Sequence, residues 1–98
     1  MVERHHYFRL DASSRARRAE IAADCRRVLP NLTGVIACAV GTPADDQSAA
    51  AWDLSIVLCF ATMADLESYR ADPEHKRFAE ETLAPYIEVR KIWNFDVG

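Results

Sequence analysis

A small α+β fold built on one four-stranded antiparallel sheet is what this sequence predicts, and three observations carry the prediction. Apolar residues alternate with period two over Trp52–Phe60 and Ile87–Val97, as half-buried strands require. Elsewhere they recur at helical spacing: Ile21, Ala22, Cys25, Val28 and Leu29 in one segment, and Phe78, Ala79, Thr82 and Leu83 in another. Proline and glycine punctuate the chain between these segments, at Pro30, Gly34, Gly41, Pro43, Pro73 and Pro85.

Taken in order, His5 to Leu10 mixes aromatic and aliphatic residues and ends at Asp11, which reads as a strand. Ser13 or Ser14 is expected to cap the first helix, and Pro30-Asn31 stops it. Gly34 then turns the chain into Val35–Val40, an apolar run too short for an ordinary helix and expected to be a strand covered on both faces. A polar loop through Asp45, Asp46 and Gln47 follows. The third strand places Trp52, Leu54, Ile56, Leu58 and Phe60 on one face, and Asp53, Ser55, Val57 and Cys59 on the other.

Thr62 to Asp65 resembles a capping box, with Asp in place of Glu or Gln, and opens a helix carrying Met63, Leu66 and Tyr69. Asp72-Pro73 starts a second helix, with Asp as cap and Pro at the first helical position, and Pro85 closes it. The last strand sets Ile87, Val89, Trp93, Phe95 and Val97 against Glu88, Arg90, Asn94 and Asp96. The order β-α-β-β-α-β is the ferredoxin-like arrangement, with helices on one face of the sheet. The other face is too apolar for water, so the simplest lid is the same sheet from a second copy, making a homodimer.

Composition narrows the function. At 98 residues the chain is one domain spanning 1–98, and 50% apolar with 28% charged residues is ordinary for a folded globular protein. Net charge is −3, which leaves no excess to neutralise phosphates and argues against nucleic acid as a partner. The arginine-rich stretch around Arg15, Arg17, Arg18, Arg26 and Arg27 is diluted by Glu20 and Asp24 and reads as a solvated helix face. No apolar run approaches the roughly 20 residues of a membrane helix, and the N-terminus lacks the apolar stretch of a signal peptide. Cys25, Cys38 and Cys59 are widely spaced among apolar neighbours, which suggests buried free thiols in a reducing, cytoplasmic setting. Three histidines with no matching carboxylate spacing do not suggest a metal site, and no cofactor motif is present.

The candidate site lies where the second helical element breaks. His75 opens the inward face that Phe78 continues, and Tyr69 falls three residues after Leu66 on the inward stripe of the preceding helix. A neutral imidazole there can take a proton near neutral pH, and a phenol can hold a developing enolate oxygen. The alternative is a pair of core groups bonded to backbone that merely hold the break together. Phe78, Trp93, His5 and His6 are the further candidates for contact with a ligand. Consecutive residues of a strand face opposite ways, so His5 and His6 cannot both join one site.

These residues carry a resemblance. His5-His6-Tyr7-Phe8-Arg9-Leu10, Leu32-Thr33-Gly34-Val35, Trp52-Asp53-Leu54, the Tyr-x-x-x-Pro-x-His segment from Tyr69 to His75, Phe78 and the closing Phe95-Asp96-Val97 together resemble the stress-responsive dimeric α/β-barrel (Dabb) family over essentially the whole chain. The resemblance implies a homodimer in which two sheets close into a barrel with helices outside. The family includes a polyketide cyclase, olivetolic acid cyclase, whose catalytic tyrosine and histidine lie on that same motif and so fall on Tyr69 and His75. Against that cyclase, small residues Ala19 and Ala22 replace pocket aromatics, Leu54 stands for a strand histidine, and Asp72 stands before Pro73 where His is common. The resemblance therefore implies either a cofactor-free enzyme working next to a carbonyl, cyclase-like or isomerase-like, or a non-catalytic module binding a small apolar ligand. A monooxygenase-like relative of the same barrel is the third reading.

Overall fold

The computed structural model describes all of residues 1–98. The elements run β1 (Val2–Leu10), α1 (Arg18–Val28), β2 (Ala37–Gly41), α2 (Asp46–Ala51), β3 (Leu54–Phe60), α3 (Met63–Ala71), α4 (Pro73–Phe78) and β4 (Ile87–Asp96). The strands form one antiparallel sheet in the order β2-β3-β1-β4, the ferredoxin-like topology. Alternation decides its faces. Val2, His6, Phe8 and Leu10 of β1, with Leu54, Ile56, Leu58 and Phe60 of β3, are buried beneath the helices. Ile21, Ala22 and Cys25 of α1 and Leu66 and Tyr69 of α3 close the core above them.

Five expectations change. Asp11, rather than Ser13 or Ser14, caps the first helical element by accepting from the Ser14 N–H at 2.9 Å, and a 3₁₀ stretch Ala12–Arg17 precedes α1. The polar loop contains the short helix α2, capped by Asp45 through the Ser48 N–H at 2.8 Å and propagated by Ala49 to Ala51, the best helix formers.

The third strand begins later than its pattern suggests. Trp52 packs on Tyr7 (ring centroids 5.8 Å apart), while Asp53 is 2% exposed. The Asp53 carboxylate accepts from the Leu10 N–H at 2.7 Å and pairs with Arg18, and Arg15 lies 3.8 Å away. A buried charge persists when it is paired and hydrogen-bonded in this way.

β2 spans Ala37–Gly41 rather than Val35–Val40, and in the single chain its open face leaves Ala37 and Ala39 exposed. Finally, Arg9 faces Val89 but Leu10 faces Ile87, so Glu88 forms a bulge that turns Ile87 to the helix side.

The break after α3 is built by local chemistry. The Asp72 carboxylate accepts from the Glu74 N–H at 2.9 Å, and Pro73 occupies a position that needs no intrahelical donor. After α4 the helix widens to a π-helical stretch, Ala79–Leu83, then tightens to a 3₁₀ turn, Ala84–Tyr86. Pro85 explains this: its ring cannot sit over the carbonyl four residues earlier in a regular α-helix. No helix is long and apolar enough to cross a membrane.

Candidate functional site

A cavity of about 110 Å³ lies between the helix side of the sheet and the α3–α4 break. Arg4, His6, Phe8 and Ile56 form its floor on β1 and β3, with Arg90 and Ile92 on β4. Tyr69, His75 and Phe78 form the roof, and the widened stretch contributes Ala79 and Leu83. Such π-type expansions occur often beside functional sites because they re-aim a few side chains without ending the helix.

The Tyr69 and His75 rings stack with centroids 4.2 Å apart at 40°. Tyr69 is 2% exposed, and burial pushes its phenol above the usual range, so it stays a proton donor. The His75 Nδ1 is buried with no protein partner. Burial pushes the imidazole below its ordinary pKa, the Arg4 guanidinium adds to this, and the Arg70 carbonyl and Asp72 oppose it. A neutral ring with a free nitrogen results.

His6 is neutral for a similar reason. Burial is the main cause lowering its pKa to about 4, against the opposing pull of the Ile56 carbonyl. That carbonyl lies 3.0 Å from Nδ1 and can only accept, so Nδ1 carries the proton and Nε2 keeps a lone pair.

His5 and Trp93 lie elsewhere. They face each other across β1 and β4 on the open side of the sheet. There His5 accompanies Glu3 at 3.0 Å and meets the Phe95 ring edge-on at 5.4 Å. Of the histidine pair on β1, His6 is the one that reaches the cavity, and Trp93 does not line it.

The family model described as the stress responsive A/B barrel domain, Dabb, matches residues 3–97. The chain belongs to the Dabb family. Solved structures agree on the fold. A Dabb family protein from Mesorhizobium loti with a ferredoxin-like fold is similar at TM-score 0.81 and 18% identity, covering 97% of this chain and 94% of that one. A dimeric ferredoxin-like protein of unknown function from Thermobifida fusca gives 0.82 at 15% identity, covering 98% and 90%. The hydroxynitrile lyase from Passiflora edulis gives 0.81 at 19% identity, covering 99% and 93%. No curated protein matches by sequence.

Within this Dabb chain the Tyr-x-x-x-Pro-x-His segment folds as helix end, cap and helix start, which is why its tyrosine and histidine rings meet. Sequence reasoning missed Arg4 and Arg90. The available signal was parity: Arg4 is two residues from His6 in β1 and shares its face. Ala19 is exposed and Ala22 buried in the core, and neither lines the cavity.

Proposed function

We propose that this Dabb protein is a homodimeric, cytoplasmic enzyme that uses its own side chains to move a proton next to the carbonyl of a short compound, as an isomerase or lyase does. The observation that carries the reading is the buried, unpartnered Nδ1 of a neutral His75 stacked on Tyr69 inside a cavity. In the Nε2–H tautomer, Nδ1 offers a lone pair to the α-proton. The C–H electron pair forms a C=C bond, the carbonyl π pair moves onto oxygen, and the Tyr69 O–H donates to that enolate oxygen. His75 then returns the proton at another atom.

Size favours small substrates over a polyketide chain. A cavity of roughly 150 Å³ takes one benzene, so about 110 Å³ takes a compound of no more than about that many heavy atoms unless a longer chain leaves through the mouth. Dimerisation is supported by the open sheet face, where Trp93 and Phe95 are 59% and 53% exposed, and by similar structures described as dimeric. Three free cysteines fit a reducing compartment.

Hydrogen–deuterium exchange at the α-carbon of short ketones and oxo acids, followed by NMR, tests the proposal. His75→Ala is expected to reduce exchange by about 10²–10⁴-fold, the usual weight of a general base. Tyr69→Phe, which keeps the ring and loses one hydrogen bond, is expected to reduce it less. Exchange by His75→Ala at the parent's rate sinks the proposal. So does a pattern in which both variants only melt earlier and no ligand or exchange depends on them.

A further inference from the structure

Resting on the reading of this cavity as a carbonyl site, we propose that its substrate carries a carboxylate and that Arg4 is the residue selecting the acid. The argument starts from how the chain uses its arginines. Arg9, Arg15, Arg17, Arg18, Arg27 and Arg70 each lie within 4.0 Å of a carboxylate. Arg4 does not. One of its terminal nitrogens donates to the Asn94 side-chain oxygen at 3.0 Å, which fixes the guanidinium, while its Nε is buried without a partner. A guanidinium presents its donors as a planar fork that matches a carboxylate, and a donor buried and unmatched destabilises the fold until something accepts from it.

The cavity wall contains nothing to answer that charge. No Asp or Glu lines it, whereas Arg4 and Arg90 both do, and its other ionisable members are His6, Tyr69 and His75. The first two are held neutral at physiological pH by burial, and burial likewise favours the uncharged form of His75. The acid of the helix above whose charge bears on Arg4 is Glu67, and its own carboxylate pairs with Arg70 at 3.4 Å in solvent.

Register separates the two cavity arginines. Arg4 faces Asn94 and Arg90 faces Phe8, with the His6–Ile92 pair between them. Arg4 is the one held in place by Asn94 with a donor left buried and unpartnered, and its charge also bears on Tyr69, His75 and His6. An acid held on Arg4 therefore sets its neighbouring carbonyl beside the Tyr69–His75 pair, and the α-carbon within the cavity. The class this describes is a short oxo acid. The proton transfer is the one already written, with the carboxylate unchanged throughout.

The test compares pyruvate with butane-2,3-dione, a neutral dicarbonyl with the same number of heavy atoms. Inorganic phosphate is the third probe. Dissociation constants are measured by NMR titration for the parent, Arg4→Gln and Arg4→Lys, alongside α-proton exchange of both carbonyl compounds. The parent is expected to prefer pyruvate by about 10- to 100-fold, the range that charge-assisted hydrogen bonds supply. Arg4→Gln is expected to collapse that ratio toward one, and Arg4→Lys to restore part of it, since charge returns without the fork.

Equal affinity for the two carbonyl compounds in the parent overturns the inference, as does a preference that survives Arg4→Gln. Phosphate binding at or below the pyruvate constant and lost in Arg4→Gln also overturns it, moving the selected group from carboxylate to phosphate. Failure of the carbonyl reading looks different. Pyruvate preference would then follow Arg4 as expected, while no exchange depends on His75.

Discussion

His6 offers the most quantitative check on how this sheet is packed. The folded protein holds its imidazole near pKa about 4, against 6.5 when exposed. Because the folded value is depressed, the contribution to stability is full above the unfolded pKa and is lost as pH falls through the window from 6.5 to 4. The unfolded chain takes up the proton first, which fixes the sign. At 1.36 kcal/mol per pKa unit, the loss is about 2 kcal/mol at pH 5 and about 3 kcal/mol at pH 4. His75 is shifted in the same direction and adds to the loss, less strongly because it is only half-buried.

Urea unfolding of the parent and His6→Leu at pH 7, 6, 5 and 4, at one fixed protein concentration, isolates the term. The concentration must be fixed because any self-association makes apparent stability depend on it. The parent is expected to lose about 2 kcal/mol more than the variant between pH 7 and 5. Asp11, Asp45 and Asp72, whose carboxyls are held low by hydrogen bonds, act lower in pH and equally in both proteins. Parallel pH profiles for parent and variant would refute a buried, neutral His6.

Three further outcomes follow from the packing. Asp53→Ala orphans the buried Leu10 N–H and unpairs Arg18, and is expected to cost about 2–4 kcal/mol in denaturant unfolding, discounted because Arg18 remains partly exposed. Val57 lies opposite His5 on the open face, so Val57→Glu should weaken self-association in sedimentation velocity, while Glu88→Lys, on the exposed bulge, should not. Intact mass of freshly prepared protein should show three free thiols. Burial pushes Cys25 up to about 12, and Cys38 and Cys59 face opposite sides of the sheet, since Cys38 lies opposite Leu58 and Cys59 opposite Ala37.

Much of the fold was legible because its strands and helices bury one face each. Leu54, Ile56, Leu58 and Phe60 needed only period two, and Ile21, Ala22 and Cys25 only period 3.6. The misread points are those where a distant residue decides. Asp53 looks like a solvent-facing position until Arg18 and the Leu10 N–H are brought to it. Ile87 changes sides because of a bulge that depends on pairing with β1, which β4's own pattern does not contain.

The site divides the same way. Tyr69 follows from helical spacing with Leu66 on α3, and His75 and Phe78 from helical spacing on α4. Choosing His6 over His5 requires knowing which side of β1 the helices cover. Arg4 carries no such signal, since its buried Nε exists only once the cavity is assembled.

Parity along β1 is what keeps these roles apart. Its even positions, Arg4, His6 and Phe8, floor the cavity, while Glu3 and His5 face the open side that a partner sheet would cover. A slip of one residue would exchange the two sets, putting His5 and a glutamate under Tyr69 and sending Arg4 to the other face. The register is therefore under more constraint than core burial alone imposes. Asp53 is placed to enforce it: its carboxylate takes the Leu10 N–H and its own N–H donates to the Phe8 carbonyl at 2.8 Å, clamping the end of β1 to the start of β3. The buried charge that looks like a cost to the core thus holds the arginine and the histidine of β1 on the cavity side of the sheet.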